Sequence, residues 1–323
     1  MPTSSAQIPM IDVAPLLSGD AEATARIVRE IGAACRDVGF FYVRGHGIDS
    51  GLRARVFSQA QAFFALPAAR KDAVAITKSP HNRGYVGYGG EKLDPSKPAD
   101  MKQAYNIGLE LPPDDPELLA GVPFRGLNLW PDLDDFKPVM LAYFDAVWRL
   151  GLKLHEAFAR DLGLRPDYFA DKLDRLMATL WLLHYPPMPP QVEEGQLGAG
   201  EHTDYGNITL LATDEAGGLE VRCRDGTWLA APPIPDTFVI NIGDCLMRWT
   251  NDVYVSTPHR VVNRQGRERM SIAFFLDPNP EAIVEALPGC SSAEAPARYP
   301  AIRASDYLTS RLEPSYAHAV RKN

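Results

Sequence analysis

A mixed α and β chain, with a helical N-terminal half packed on a β jelly roll, is the fold class that the sequence predicts. Three observations predict it. Apolar residues recur at helical spacing through much of the first half. From about Ala178 the texture changes to short strand-like runs separated by Gly, Pro, Asn and Asp. The chain has 323 residues, 46% hydrophobic and 23% charged, which is the length and balance of a soluble globular protein with one large domain or two small ones.

Along the chain, AEATARIVREIGAACRDVGF places Ile27, Ile31, Ala34 and Val38 on one helical face, and Gly39 ends the helix. FFYVRGHGI then reads as a short buried strand with a glycine turn. GLRARVFSQAQAFFAL and the long FKPVMLAYFDAVWRLGLKLHEAFARDLGL are two more amphipathic helices, the second with Gly163 where a C-cap belongs. Between them, residues 81–117 are rich in Gly, Pro and charge and read as a long functional loop. The strand-like runs are ATLWLLHYPP, ITLLAT, LEVRC, TWLAAP, TFVINIG, STPHRVV and RMSIAFFLDP. From Pro296 the texture is helical or irregular again. The expected organisation is a helical region over 1–175, a jelly-roll core over 176–280 and a tail over 281–323, forming one structural unit without internal repeats.

Charge excludes some functions. The net charge is −8, and there is no basic stripe of the kind that grips nucleic acid. The short basic cluster NRQGRER reads as a hairpin loop with a special arginine, Arg269, at its end. The N-terminus lacks a charged region followed by a long apolar core, and no apolar run reaches the length of a membrane span. Cys35, Cys223, Cys245 and Cys290 are scattered and read as free thiols in a reducing compartment. The expectation is a cytoplasmic monomer or small homo-oligomer acting on a small molecule, with no nucleic-acid or membrane partner.

EHTDYGNITLL places His202 and Asp204 two apart before an aliphatic run. His202 as a polar residue on a wet face and Asp204 as a turn former before Gly206 are the plainer readings. On a strand, however, residues i and i+2 share a face, so both side chains can point at one ion. Among the seven histidines, His155 lies mid-helix as a surface or packing residue, and His46 sits in a glycine turn with a structural role. His259, on the strand-like STPHRVVN, is the best-placed third ligand. Two histidines and a carboxylate on one face, with the opposite positions open, are the ligand set of non-haem Fe(II) oxygenases. Arg269 and Ser271 share a face of RMSIAFF, where a guanidinium fork and a hydroxyl suit a carboxylate. Tyr185 of LLHYPPMP can add another donor from a facing strand.

These segments resemble the iron- and 2-oxoglutarate-dependent dioxygenases of the isopenicillin N synthase-like superfamily over nearly the whole chain. IPMIDVAPLL and ACRDVGFFYVRGHGI resemble the family's N-terminal region. HTDYGNITLL, GGLEV, FVINIGDCL, VYVSTPHRVVN and RMSIAFFLDP resemble its catalytic core, in order. The resemblance implies a double-stranded β-helix core with N-terminal and flanking helices. It implies that His202, Asp204 and His259 hold Fe(II), and that Arg269 and Ser271 grip the far carboxylate of 2-oxoglutarate. The family's N-Y-P-x-C-P segment appears as HYPPMP: Tyr185 is kept, His184 stands for the asparagine and Met188 for the cysteine. His184 is left without a role. The aromatic that stacks on substrate falls on Phe275, for which an ordinary core position is the competing reading. The implied reaction consumes O2, oxidatively decarboxylates 2-oxoglutarate to succinate and CO2, and hydroxylates or desaturates an unactivated C–H bond.

Two relatives within the superfamily compete: an isopenicillin N synthase-type oxidase that uses no 2-oxoglutarate, and an ethylene-forming branch. The first also carries an R-x-S pair, but has a glutamine near its C-terminus, whereas the last glutamine here is Gln265. A non-catalytic jelly-roll binding protein is the reading from another class. Substrate contacts are expected in the loops and N-terminal helices, with Arg83, Tyr85 and Tyr88, and then Lys102 and Tyr105, as candidates.

Overall fold

A computed structural model describes residues 7–90, 100–187, 196–263 and 266–312. Met188, Gln265 and the tail beyond Leu312, which carried parts of the argument above, lie outside the described residues. β1 (Met10–Asp12) leads through the short α1 (Ala14–Ser18) into α2 (Ala21–Asp37), capped by the Asp20 carboxylate, which accepts from the Ala23 backbone N–H at 3.0 Å. Gly39 ends α2 with φ +70°, and a Cβ there would lie 2.2 Å from the Val255 carbonyl oxygen, so only glycine fits. β2 (Phe40–Arg44), α3 (Ser50–Phe64) and α4 (Ala68–Asp72) follow.

The stretch expected as one long loop instead contains two strands, β3 (Gly84–Val86) and β4 (Gln103–Gly108), every residue of which is buried. Their apolar residues are few and sit among strong turn formers, and pairing to a neighbouring strand is what makes them regular. After α5 (Pro116–Leu119), the long α6 (Phe136–Asp161) buries Phe136, Met140, Tyr143, Phe144, Val147, Leu150, Leu154 and Phe158 on one face. Fully burying one such side chain contributes roughly 1.5–3 kcal/mol.

The second half is stranded, as expected: β5 (Thr179–Tyr185), β6 (Ala199–His202), β7 (Ile208–Thr213), β8 (Leu219–Arg222), β9 (Trp228–Ala231) and β10 (Phe238–Ile242) precede α7 (Asp244–Trp249). β11 (His259–Val261) and β12 (Arg269–Leu276) complete the jelly roll. A small pair, β13 (Ile283–Val284) and β14 (Ile302–Arg303), and then α8 (Ala304–Leu312) close the described chain.

The large sheet runs β1-β2-β10-β7-β12-β5-β4-β3, and the small one β6-β11-β8-β9. Four strands from the first half therefore belong to the large sheet. β12 shows how that sheet is buried on both faces. Met270, Ile272, Phe274 and Leu276 join the helix-side core, where Phe274 meets Phe144 of α6 edge-on with centroids 4.9 Å apart. Ser271, Ala273 and Phe275 face the interior between the sheets. Burial on both faces explains why RMSIAFFL reads as a continuous apolar run and not as an alternation. Among the described residues, no helix is long and apolar enough to cross a membrane.

Candidate active site

His202 ends β6 and His259 begins β11, and antiparallel pairing sets these two residues directly opposite each other. The chain thereby closes a long sequence separation by strand register, and the imidazole centroids lie 4.3 Å apart. Asp204 does not continue the strand, so the shared-face argument does not place it. It lies in the loop after β6, which is pinned by the start of α7: the Asp244 N–H donates to the Asp204 carbonyl at 2.7 Å. That loop turns the carboxylate back, and Asp204 Oδ1 stands 3.6 Å from the Nε2 atoms of both His202 and His259.

The orientation of each donor is fixed by a second bond. His202 Nδ1 lies 2.7 Å from the Gly200 carbonyl and His259 Nδ1 3.1 Å from that of Thr257, which assigns the ring hydrogen to Nδ1. Both Nε2 lone pairs are then free to face the centre. Asp204 Oδ2 accepts from Asn241 Nδ2 at 2.7 Å and from the Thr209 hydroxyl, which leaves Oδ1 toward the imidazoles. Thr209 and Asn241 were not anticipated. Their signal was a polar residue inside an apolar run, ITLLAT and FVINI, and they are register partners on β7 and β10.

Electrostatics fit a cation. Burial, followed by the charge of His259, pushes His202 down to about 3. Burial would raise Asp204, but the two imidazoles and the Thr209 bond outweigh it and hold the carboxyl far below its ordinary range. Burial would lower His259, but the Asp204 carboxylate outweighs it and raises the group. The cluster gathers one carboxylate and two imidazoles, with ligand atoms all within 4.8 Å of one another. That nitrogen, nitrogen and oxygen set suits a borderline divalent transition metal such as Fe(II).

The same cavity, of about 140 Å³, reaches Arg269, Ser271 and Tyr185. Arg269 is 1% exposed. Its Nε donates to the Gly217 carbonyl at 2.6 Å and its Nη1 to the Ser271 hydroxyl at 3.0 Å, and the guanidinium carbon lies 4.6 Å from the Tyr185 ring centre. Among the described residues it has no carboxylate partner. A buried guanidinium without a counter-charge is costly unless an anion binds beside it.

Phe275 lines the cavity and meets Trp181 edge-on at 5.1 Å. Arg83 also lines it, but its guanidinium donates to the carbonyls of His81, Asn82 and Phe124. Lys102 lines it as well, paired with Asp100 at 3.2 Å. Tyr85, expected to touch substrate, stands instead in the core: its ring meets Phe63 at 5.9 Å and its hydroxyl donates to Gln103 at 2.7 Å. Tyr88 is half exposed beside His184, and Tyr105 packs on Phe63 and Phe136. His184 belongs to the same outer network, bonded to Gln103 and Glu268 and stacked on Phe64. His155 is a packing residue, bonded to Gly151 and Asn207, and His46 packs edge-on against Phe238.

Fold and cavity together define a jelly-roll protein with a two-histidine, one-carboxylate cluster beside an anion-ready arginine. Residues 8–133 match the family model described as non-haem dioxygenase in morphine synthesis N-terminal, and residues 178–278 match that of the 2OG-Fe(II) oxygenase superfamily. The chain belongs to the 2OG-Fe(II) oxygenase superfamily. It is 35% identical over 317 residues to the 2-oxoglutarate-Fe(II) type oxidoreductase hxnY of Emericella nidulans, covering 96% of this chain and 91% of that protein. The 2-oxoglutarate-dependent dioxygenase citB of Monascus ruber is 36% identical over 286 residues, or 85% of this chain and 86% of that one. The crystal structure of a full-length Neurospora crassa protein in complex with alpha-KG and thymine superposes with a TM-score of 0.86 at 35% identity, covering 97% of this chain and 98% of that one. The protein is thus an Fe(II)- and 2-oxoglutarate-dependent dioxygenase that uses O2 to oxidise a small molecule, releasing succinate and CO2.

Proposed function

We propose that His202, Asp204 and His259 hold the iron, that Arg269, Ser271 and Tyr185 hold the distal carboxylate of 2-oxoglutarate, and that Phe275 and the wall near Arg83 face the substrate. The observation that carries this reading is the fully buried Arg269, without a counter-charge among the described residues, in the same cavity as the three donor side chains. When bound, the iron supplies the redox chemistry that couples decarboxylation of 2-oxoglutarate to oxidation of a substrate C–H bond. The chain's share is orientation. The Gly200 and Thr257 carbonyls fix the two imidazoles, and Asn241 with Thr209 fixes which carboxylate oxygen Asp204 presents. Ser271 and the Gly217 carbonyl hold the Arg269 fork in one rotation, so that a carboxylate meets a prepared partner. The apolar walls, Leu183, Val261 and Phe275 among them, keep bulk water from the reacting atoms.

The C–H step is hydroxylation or desaturation. The 1–175, 176–280 and 281–323 segments act as one unit, a cytoplasmic monomer or small homo-oligomer without affinity for nucleic acid or lipid. The test is stoichiometric. Fe(II) protein supplied with 2-oxoglutarate and a metabolite panel should release succinate above the substrate-free background, and both His202→Ala and His259→Ala should lose that release. Full turnover by either variant would remove the ligand assignment.

A further inference from the structure

The inward face of β12 carries a file of side chains that runs past the end of the strand: Arg269, Ser271, Ala273, Phe275 and Asp277 all line the cavity. The first two have a role above. Asp277 does not, and it is the anomalous member. It is 6% exposed, and among the described residues neither carboxyl oxygen has a hydrogen-bond partner or a basic side chain in ion-pair range. Oδ1 is sealed against Gly206, so Oδ2 is the oxygen open to a molecule in the cavity.

The surroundings make that arrangement expensive. Burial, and then the neighbouring Asp204 charge, push the Asp277 carboxyl up to about 7. Oδ1 lies against Gly206, where a Cβ would come within 1.6 Å of it, so the loop has a glycine where this acid needs room. Met177, Trp181, Phe275 and Leu308 line the same cavity, together with Thr179, the register partner of Phe275. A buried carboxyl with no partner costs what an unmade hydrogen bond costs, and an apolar residue of the same size would avoid it.

We propose that Asp277 is a specificity-determining residue that receives a hydrogen bond from a ring N–H of the substrate, and that the substrate is a planar heterocycle bearing such a donor. This rests on the reading that this cavity takes the oxidised molecule. The aromatic walls favour a flat ring over an aliphatic chain. A ring amide brings an N–H that Oδ2 can accept. Asp277 thereby orients the ring without taking part in the chemistry.

The experiment uses matched probes on anaerobic Fe(II) protein loaded with 2-oxoglutarate: thymine against 1,3-dimethylthymine, and 2-pyridone against N-methyl-2-pyridone, with binding read by equilibrium dialysis. At least one N–H probe should bind at millimolar concentration, and its N-methyl partner should bind roughly 10-fold or more weakly. Asp277→Leu should lose that difference, while Asp277→Asn, which keeps a carbonyl acceptor, should retain part of it. Asp277→Leu should also melt no lower than wild type, because it replaces an unpartnered buried acid. Equal binding of each pair, or N–H selectivity that survives Asp277→Leu, overturns the proposal. If no N–H probe binds while 2-oxoglutarate still binds in an Arg269-dependent way, this inference fails and the reading of the site stands. If 2-oxoglutarate does not bind either, both fail.

Discussion

Arg269 and Tyr185 are register partners across the β5–β12 pair, with the guanidinium carbon 4.6 Å from the tyrosine ring centre. The ring covers one face of the cation, Ser271 and the Gly217 carbonyl hold its edge, and no carboxylate neutralises it among the described residues. Arg269→Ala should therefore weaken 2-oxoglutarate binding by roughly 30- to 1000-fold, the equivalent of about 2–4 kcal/mol for a charge-assisted two-pronged contact. Arg269→Lys should recover only part, since an ammonium lacks the planar fork. Tyr185→Leu should cost less, about 1 kcal/mol, for the lost cation–π contact. Calorimetric titration of 2-oxoglutarate into anaerobic Fe(II) protein checks all three, and unchanged affinity in Arg269→Ala would remove the carboxylate clamp.

With Asp204 as the proposed iron ligand, Asn241 and Thr209 would act on the metal through it. Each donates to Oδ2 and so fixes the oxygen that faces His202 and His259. Asn241→Ala and Thr209→Val should each lower Fe(II) affinity by roughly 10- to 100-fold, the usual cost of removing a partner of a metal-ligating group. Chelator competition with Fe(II) or Mn(II) measures this without turnover. A variant that binds metal like wild type would show that the loop alone positions Asp204.

Sequence carried the fold class and five polar residues of the cavity, His202, Asp204, His259, Arg269 and Ser271, because each sits in a short motif whose pattern is local. His259 stood out as a histidine on an apolar strand, and Arg269 as a charge opening a buried one. What was hidden depends on register between distant strands. Nothing local pairs Thr209 with Asn241, and only the β7–β10 ladder brings them to one carboxylate. β4 was concealed for the same reason: Gln103–Gly108 sits among Gly, Pro and charge and becomes a strand by pairing with β5. Asp204 was placed beside His202 by an argument from strand alternation, yet it is the turn held by Asp244 that brings it there. Tyr85 lies in a segment that reads as a loop, where substrate contacts are expected. Here β3 pairing turns its ring into the core.

His155 makes acid stability testable. It is fully enclosed in α6, donates from Nδ1 to the Gly151 carbonyl at 2.8 Å and accepts at Nε2 from Asn207 at 3.2 Å, a pattern that only the neutral ring satisfies. Burial pushes it from 6.5 down to about 4. The folded value lies below the unfolded one, so its contribution is complete above pH 6.5 and is lost as pH falls from there through 4. The full loss is about 3 kcal/mol. Urea unfolding of the metal-free protein across that range should steepen toward acid, and His155→Gln should remove about one proton's worth of the slope. His202 titrates in the same direction, so some slope remains in the variant. An identical slope in both proteins would show that His155 charges without cost.

Arg311 ties α8 to the metal-side loop. Its Nη2 lies 2.9 Å from Asp244 Oδ2, and its guanidinium carbon is 4.8 Å from the Tyr205 ring centre. Asp244 is the first residue of α7, whose backbone N–H holds the Asp204 turn, so one side chain links the C-terminal helix to the donor cluster. Leu308 and Leu312 of α8 close the cavity beside Tyr205. The Arg311 side chain is 42% exposed, so screening by solvent keeps the pair's contribution small, and Arg311→Ala should lower stability by no more than about 1 kcal/mol. The larger effect should be on containment. With α8 less firmly held, water reaches the cavity and 2-oxoglutarate is consumed without substrate being oxidised. The ratio of succinate formed to substrate oxidised should rise in Arg311→Ala while 2-oxoglutarate affinity at Arg269 stays at the wild-type value, because the clamp lies on β12 and makes no contact with Arg311. Arg311→Lys should fall between the two proteins, keeping the charge opposite Asp244 but losing the planar contact with Tyr205. A wild-type ratio in Arg311→Ala would mean that Leu308 and Leu312 hold α8 in place unaided.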